Sequence, residues 1–131
     1  MKIQDDLTKY ISSALNNALP EKTKIKTRFH LLDAIVSILT GRLLPPGQKG
    51  FNFSKNQGGL EEATLLGNNI KVSAINAAFS NGMAAHANET DDSHTKGRFH
   101  PGCAIIPTTL AIAEREHLNS EEIFKGIALG Y

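Results

Sequence analysis

Three of the five histidines and three of the 13 carboxylates fall between residues 86 and 100, in HANETDDSHTKGRFH. No other stretch crowds titratable groups together in this way. An imidazole beside a carboxylate moves protons near neutral pH, because the unperturbed histidine pKa is about 6.5. His86 and Glu89 are three apart and would share a face at a helix end. Asp91, Asp92, Ser93 and His94 follow in non-helical sequence, and His100 stands immediately before Pro101-Gly102. A proline-led helix after His100 offers free backbone N–H groups that favour an anion such as a substrate carboxylate. A glycine at 102 would let that substrate approach the backbone closely.

Other readings of the same residues stay open. A polar loop between two helices collects His, Asp and Ser simply because it is solvated. Asp91, Asp92, His94 and His100 could instead build a metal-dependent hydrolase, although the HxxxH and CxxC spacings are absent and no metal is expected. Cys103 could be a nucleophile, but it enters the apolar run Cys-Ala-Ile-Ile and reads first as a buried structural thiol. Lys22, Lys24, Lys26 and Arg28, spaced by two, scatter charge around a helix as a solvated face.

The elements that must hold this segment read as helices. Leu7, Tyr10, Ile11, Ala14, Leu15 and Ala18 mark one helix face, ended by Pro20. Phe29, Leu32, Ile35, Val36 and Leu39 repeat that pattern in a helix from about Glu21 to Leu44. Leu31 and Ile38 widen its apolar face, so this helix is expected to be the most buried. Asp33 inside that run is expected to be a buried or half-buried carboxylate hydrogen-bonded to a neighbouring helix end. Periodicity vanishes from 45 to 59, where PPGQKGFNFSKNQGG reads as a loop pinned by Phe51 and Phe53. A short helical patch, 60–66, ends at Gly67, and Asn68-Asn69 favours a turn. Small residues from 73 to 87 predict a closely packed central helix, in which close backbone approach would explain Gly82. A further helix starts at Pro101 or Pro107 and runs to His117. Asn119 and Glu122 form a capping-box pattern opening a last helix. Ile123, Phe124 and Ile127 make that helix apolar, without a stop signal after it, and the chain is expected to have continued beyond it.

Composition excludes several classes. The chain has 131 residues, of which 40% are hydrophobic and 21% charged, the balance of a single folded domain rather than a disordered segment. A formal charge of +1 lacks the basic excess of a nucleic-acid binder. One cysteine excludes an intrachain disulfide framework. The opening MKIQDDLTKY is neither a signal nor a transit peptide, and no apolar run approaches the ~20 residues that span a bilayer. A cytoplasmic protein without membrane contact is the expectation.

Residues 76–131 closely resemble the MmgE/PrpD family, which includes 2-methylcitrate dehydratase, cis-aconitate decarboxylase and iminodisuccinate epimerase. The resemblance is carried by Asn81-Gly82, Ala85-His86, the acidic stretch Glu89-Thr90-Asp91-Asp92-Ser93-His94, and His100-Pro101-Gly102. It continues in the helix from Pro107 to Glu114 and in Gly130-Tyr131. Upstream, Asp33, Gly41, Ala63-Thr64 and Leu66-Gly67 fit the family's early elements. The resemblance implies an all-α, bundle-like, dimer-forming helical domain spanning 1–131, incomplete, with a second α/β domain absent. It also implies acid/base chemistry on a small di- or tricarboxylate without metal or organic cofactor. His100, Asp91 and Asp92 are the implied catalytic groups; Glu89, Ser93, His86 and Gly102 are the implied substrate-binding ones. Family members usually carry aspartate at the position of Glu89. Glutamate moves that carboxylate by a methylene, and a shift of about 1 Å can cost on the order of a hundredfold in rate. Downstream lysines and a tyrosine that bind substrate in the family lie beyond residue 131. The chain alone is therefore expected to be inactive, working as a homodimer or with a complementary C-terminal half. The alternative is a non-catalytic association module.

Overall fold

A computed structural model describes residues 2–131 as six helices and one small hairpin. The helices are α1 (Ile3–Asn16), α2 (Glu21–Gly41), α3 (Pro45–Gln57), α4 (Ala74–His86), α5 (Gly102–Glu116) and α6 (Ser120–Gly130). The strands are β1 (Ala63–Leu65) and β2 (Ile70–Val72), paired antiparallel with Thr64 opposite Lys71. The mostly helical architecture is as expected; the hairpin replaces the helical patch read at 60–66. Ala63 and Leu65 alternate inward around the half-buried Thr64, and Gly67 at φ 78° turns the chain between the strands. Side chains from the helices complete its hydrogen bonds. The Asn81 amide donates to the Thr64 carbonyl and accepts from the Leu66 N–H, both at 3.0 Å. Glu114 accepts from the Thr64 N–H and hydroxyl at 3.1 and 2.8 Å.

The centre is α4, which packs against α2, α3 and α5. Its buried residues are all small or short: Ala74, Ala77, Ser80, Asn81, Ala84 and Ala85. A Cβ at Gly82 would sit 2.9 Å from the Cys103 carbonyl oxygen. That carbonyl is the one Pro107, buried inside α5, leaves without its helical N–H donor. The close approach expected at Gly82 is thus made to α5.

Small residues on α4 also decide which face of α2 turns inward. Thr27, Ala34, Ser37, Ile38 and Gly41 are buried, whereas Phe29, Leu32 and Val36 are 68%, 59% and 52% exposed. The large apolar stripe expected to face the core therefore faces outward, and α4 rather than α2 is the most buried helix. Asp33 lies on this outward side and is exposed, not buried, with no side-chain hydrogen bond among the described residues.

The expected loop at 45–59 is mostly α3. Pro45 and Pro46 occupy the first helical positions, where no N–H is needed. Gly47 and Gly50 are buried because a side chain there would collide with the end of α2 and with Met83 of α4. Tertiary contact thus overrides poor helix propensity. Ser54, fully buried, donates to the Asn76 carbonyl at 2.8 Å. Phe51 packs against the core, and Phe53 meets Phe79 edge to face at 5.4 Å.

The first helix stops at Asn16, short of Ala18, and Pro20 instead precedes the first turn of α2. None of the residues of α1 is buried. The expected capping box is present at α6, with Asn119 accepting from Glu121 and Glu122 N–H groups and Glu122 accepting from the Asn119 N–H at 2.9 Å. Ile127 is buried with Ala34 and Ile106, and Ile123 packs against them. The apolar face of α6 is therefore covered. Among the described residues, no helix is long and apolar enough to cross a membrane.

Candidate active site

The acidic segment runs from the end of α4 to Pro101, which caps α5. Asn88 ties it to α2 through a 3.0 Å bond to the Thr40 hydroxyl. His94 and Phe99 form an isolated antiparallel bridge, closing a small reverse turn. Two neighbouring carboxylates in this segment point to different partners.

Asp91 turns inward, with a side-chain exposure of 0%. Its Oδ1 lies 3.2 Å from His86 Nδ1 and 3.3 Å from His100 Nδ1. His100 Nδ1 is also 3.3 Å from the Asp91 carbonyl oxygen. The two rings stand 4.8 Å apart. Since the carboxylate and carbonyl can only accept, both imidazoles hold their proton on Nδ1 when neutral. The Nε2 atoms are then left to take up or deliver a proton. That of His86 lies 3.7 Å from Glu89, whose side chain is exposed and whose backbone is held at φ 56°. That of His100 has no hydrogen-bond partner among the described residues.

Asp92 turns the other way. Its Oδ1 accepts from the Gly102 N–H at 2.8 Å. Its Oδ2 accepts from the Tyr131 hydroxyl at 2.6 Å and lies 3.0 Å from His30 Nδ1. The rings of His30 and Tyr131 stack at 4.1 Å. One carboxylate thereby ties α2, the start of α5 and the end of α6 together. A Cβ at Gly102 would come within 2.5 Å of Asp92 Oδ1, so the group approaching this glycine closely is the protein's own carboxylate.

Burial above all, then the hydrogen bond and charge of Asp92, push the Tyr131 phenol far above its ordinary value of 10.0. It is a donor in this site, not a base. The folded state holds that proton more tightly than the unfolded chain does. The resulting stabilisation is complete below the unfolded phenol's pKa and is lost as pH rises above it. Tyr131→Phe is expected to cost about 1 kcal/mol at neutral pH, discounted for its partial exposure. The gap between variant and parent should close at high pH. Urea denaturation at about pH 8 and about pH 11 checks this; a gap that widens with pH would refute it.

Cys103 is half-buried, and its thiol donates to the His100 carbonyl at 3.2 Å. Burial, followed by the negative charge of Asp91, pushes this thiol up from 9.0, which makes it a poor nucleophile. Donor atoms of His86, Asp91 and Cys103 lie within 4.8 Å of one another, a combination whose chemistry would suit zinc. The metal-hydrolase set Asp91, Asp92, His94 and His100 is not gathered into one cluster. Asp92 is engaged as above, and His94 Nδ1 accepts from the Gly97 N–H at 2.9 Å.

Ser93 and His94 line a cavity of about 460 Å³ opposite Lys22, Lys26 and His30 of α2. Lys22, Lys26 and Arg28 are exposed, as expected of a solvated face, and Lys24 is half-buried. Lys22 and Lys26, four residues apart, share one face and line the cavity, while Arg28 lies over the Phe124 ring at 5.9 Å. Sequence reasoning missed His30, Tyr131, Lys22 and Lys26 as members of the site. The spacing of four along Lys22, Lys26 and His30 was the available signal.

No curated protein matches this chain. The family model of the MmgE/PrpD N-terminal domain, however, matches residues 5–131, from the first turn of α1 through Asp91, His100 and Tyr131, and the chain therefore belongs to the MmgE/PrpD family.

Proposed function

We propose that the chain is the N-terminal portion of a 2-methylcitrate-dehydratase-like lyase, cytoplasmic, acting on a small di- or tricarboxylate by acid/base chemistry. The observation that supports this best is the fully buried Asp91 carboxylate between His86 and His100. It fixes the ring orientation of His100 through Nδ1, leaving Nε2 to carry the proton that the reaction uses. In the dehydration, a base removes the proton next to a substrate carboxylate, and the electron pair left behind forms the new double bond. The departing hydroxyl takes the His100 Nε2 proton and leaves as water. Asp92, held by Tyr131, His30 and Gly102, positions the loop that carries Asp91 and Ser93. Glu89 at the rim is the candidate contact to substrate on the His86 side.

The 131-residue chain alone is expected to turn over neither 2-methylcitrate nor cis-aconitate. Supplied with a complementary C-terminal portion, it should turn over one of them. His100→Ala should then lower the rate by roughly a thousandfold, the usual contribution of a positioned general acid. Turnover by the chain alone that His100→Ala abolishes would refute the inactivity. Turnover of neither substrate by the combined portions would refute the lyase reading.

The exposed stripe Phe29, Leu32, Val36 and Leu39 on α2 favours a second reading, a helical module that works by association. The apolar face of α6 is covered in the fold, so this stripe on α2 carries the association reading. Light scattering should show a dimer that Leu32→Asp with Val36→Asp converts to a monomer. A parent chain that is a monomer at all concentrations would argue against this reading.

A further inference from the structure

The cavity between α2, the acidic segment and α6 has two features that the proton-transfer residues do not explain. Lys22 and Lys26, one helical turn apart, both line it. Neither makes an ion pair or side-chain hydrogen bond among the described residues, although 14 basic residues face 13 acidic ones in the chain. Like charges at i and i+4 destabilise a helix modestly, and an anion held between them would relieve this. The single carboxylate on the wall, Asp92, is already committed to Tyr131, His30 and the Gly102 N–H. The cavity therefore carries an excess of positive charge.

Its remaining polar groups suit the same kind of ligand. His94 uses Nδ1 to accept from the Gly97 N–H, so the proton of its neutral ring is on Nε2, a donor. Ser93 and Thr23 add hydroxyl groups to the wall. A volume of about 460 Å³ lies in the range of small-molecule sites. Lysines at i and i+4 share one helix face, with Cβ atoms roughly 5–6 Å apart. Two ammonium groups on separate flexible stems can each meet one carboxylate of a short polycarboxylate.

We propose that this cavity is a carboxylate-binding subsite, in which Lys22 and Lys26 each pair with one carboxylate of a small polycarboxylate and His94 and Ser93 donate to it. The inference rests on the lyase reading for the class of ligand, and on the cavity for its place. It gives the N-terminal portion substrate-binding charges of its own, on a helix well before the acidic segment.

Calorimetric titration of the full chain with citrate tests it, with glycerol as the uncharged comparison and inorganic phosphate as the compact anion. Lys22→Gln with Lys26→Gln should weaken citrate binding by roughly tenfold, the loss of two partly exposed charge pairs. Lys22→Arg with Lys26→Arg should largely retain it. Lys9→Gln with Lys49→Gln, which removes the same charge from α1 and α3, should leave it unchanged. These lysines are exposed, and a thermal melt of each variant verifies that it folds. Citrate binding that is indifferent to Lys22 and Lys26, or equally weakened by the Lys9 and Lys49 changes, would overturn the subsite. Lysine-dependent binding of phosphate in preference to citrate would overturn its assignment to carboxylates. If lysine-dependent citrate binding holds while the combined portions show no turnover, the lyase reading fails and the subsite stands.

Discussion

Asp91→Ala is expected to destabilise the fold by about 3 kcal/mol, the usual cost of removing one partner from a buried charged pair. The carboxylate is fully enclosed and receives both His86 and His100 through Nδ1. Its removal leaves two imidazole N–H groups facing a small void, beside a half-buried thiol. His86 is partly exposed and can recover a bond from water, which keeps the figure at the lower end for such pairs. The urea midpoint should fall by roughly 1–2 M. Asp91→Asn should fall between variant and parent, because an amide can accept from one ring but presents a donor to the other. A second readout separates the site from general stability. The ring nitrogen signals of His86 and His100 should shift from the Nδ1–H tautomer toward a mixture in Asp91→Asn. A midpoint within about 0.3 M of the parent for Asp91→Ala would show that the pair of histidines does not depend on this carboxylate.

Gly41→Ala is the second large effect. In a solvated helix this change ordinarily stabilises by about 0.5–1 kcal/mol. Here the added Cβ would fall on the Ala84 carbonyl oxygen and lie 3.1 Å from the Ala87 side chain. The obstacle is backbone, so α2 and α4 must separate rather than one side chain swing aside. An expected cost of about 2–3 kcal/mol reverses the sign of the propensity effect. Gly126→Ala supplies the contrast, since its Cβ would meet only the Thr109 side chain at 3.1 Å. Because Ala84 and Ala87 flank His86, the Gly41 variant should also disturb the His86 ring signals, whereas the Gly126 variant should not. A Gly41→Ala chain as stable as its parent in urea would mean that the two helices do not meet this closely.

Both effects come from the same arrangement. The helices approach through alanine, serine and glycine, and this places the end of α4 beside the segment that carries Asp91. The larger side chains of α2, left outside, form the stripe that favours association.

Features governed by neighbours in sequence were legible without the fold. The capping box of Asn119 and Glu122, the turn at Gly67, the helical periods of α1, α2, α4 and α6, and the gathering of His86, Asp91 and His100 in one short segment all rest on contacts spanning a few residues. Which face of α2 is buried was not legible. Hydrophobicity ranks Phe29 and Leu32 above Ala34 and Ser37, but close packing against an alanine-lined helix selects the smaller set. α3 was hidden for a related reason: its glycines serve contact with α2 and α4, and composition alone reads them as loop. The division of labour between Asp91 and Asp92 was likewise beyond local reasoning. Adjacent residues in irregular backbone have no fixed period, so nothing in the pair itself assigns one to His86 and His100 and the other to His30 and Tyr131. Those last two partners come from α2 and the end of α6, far apart in the chain. The sequence by itself thus determined which chemistry was available and on what kind of element. Only tertiary packing, which brings distant side chains within hydrogen-bond reach, decided which carboxylate each histidine meets and where the lysines face.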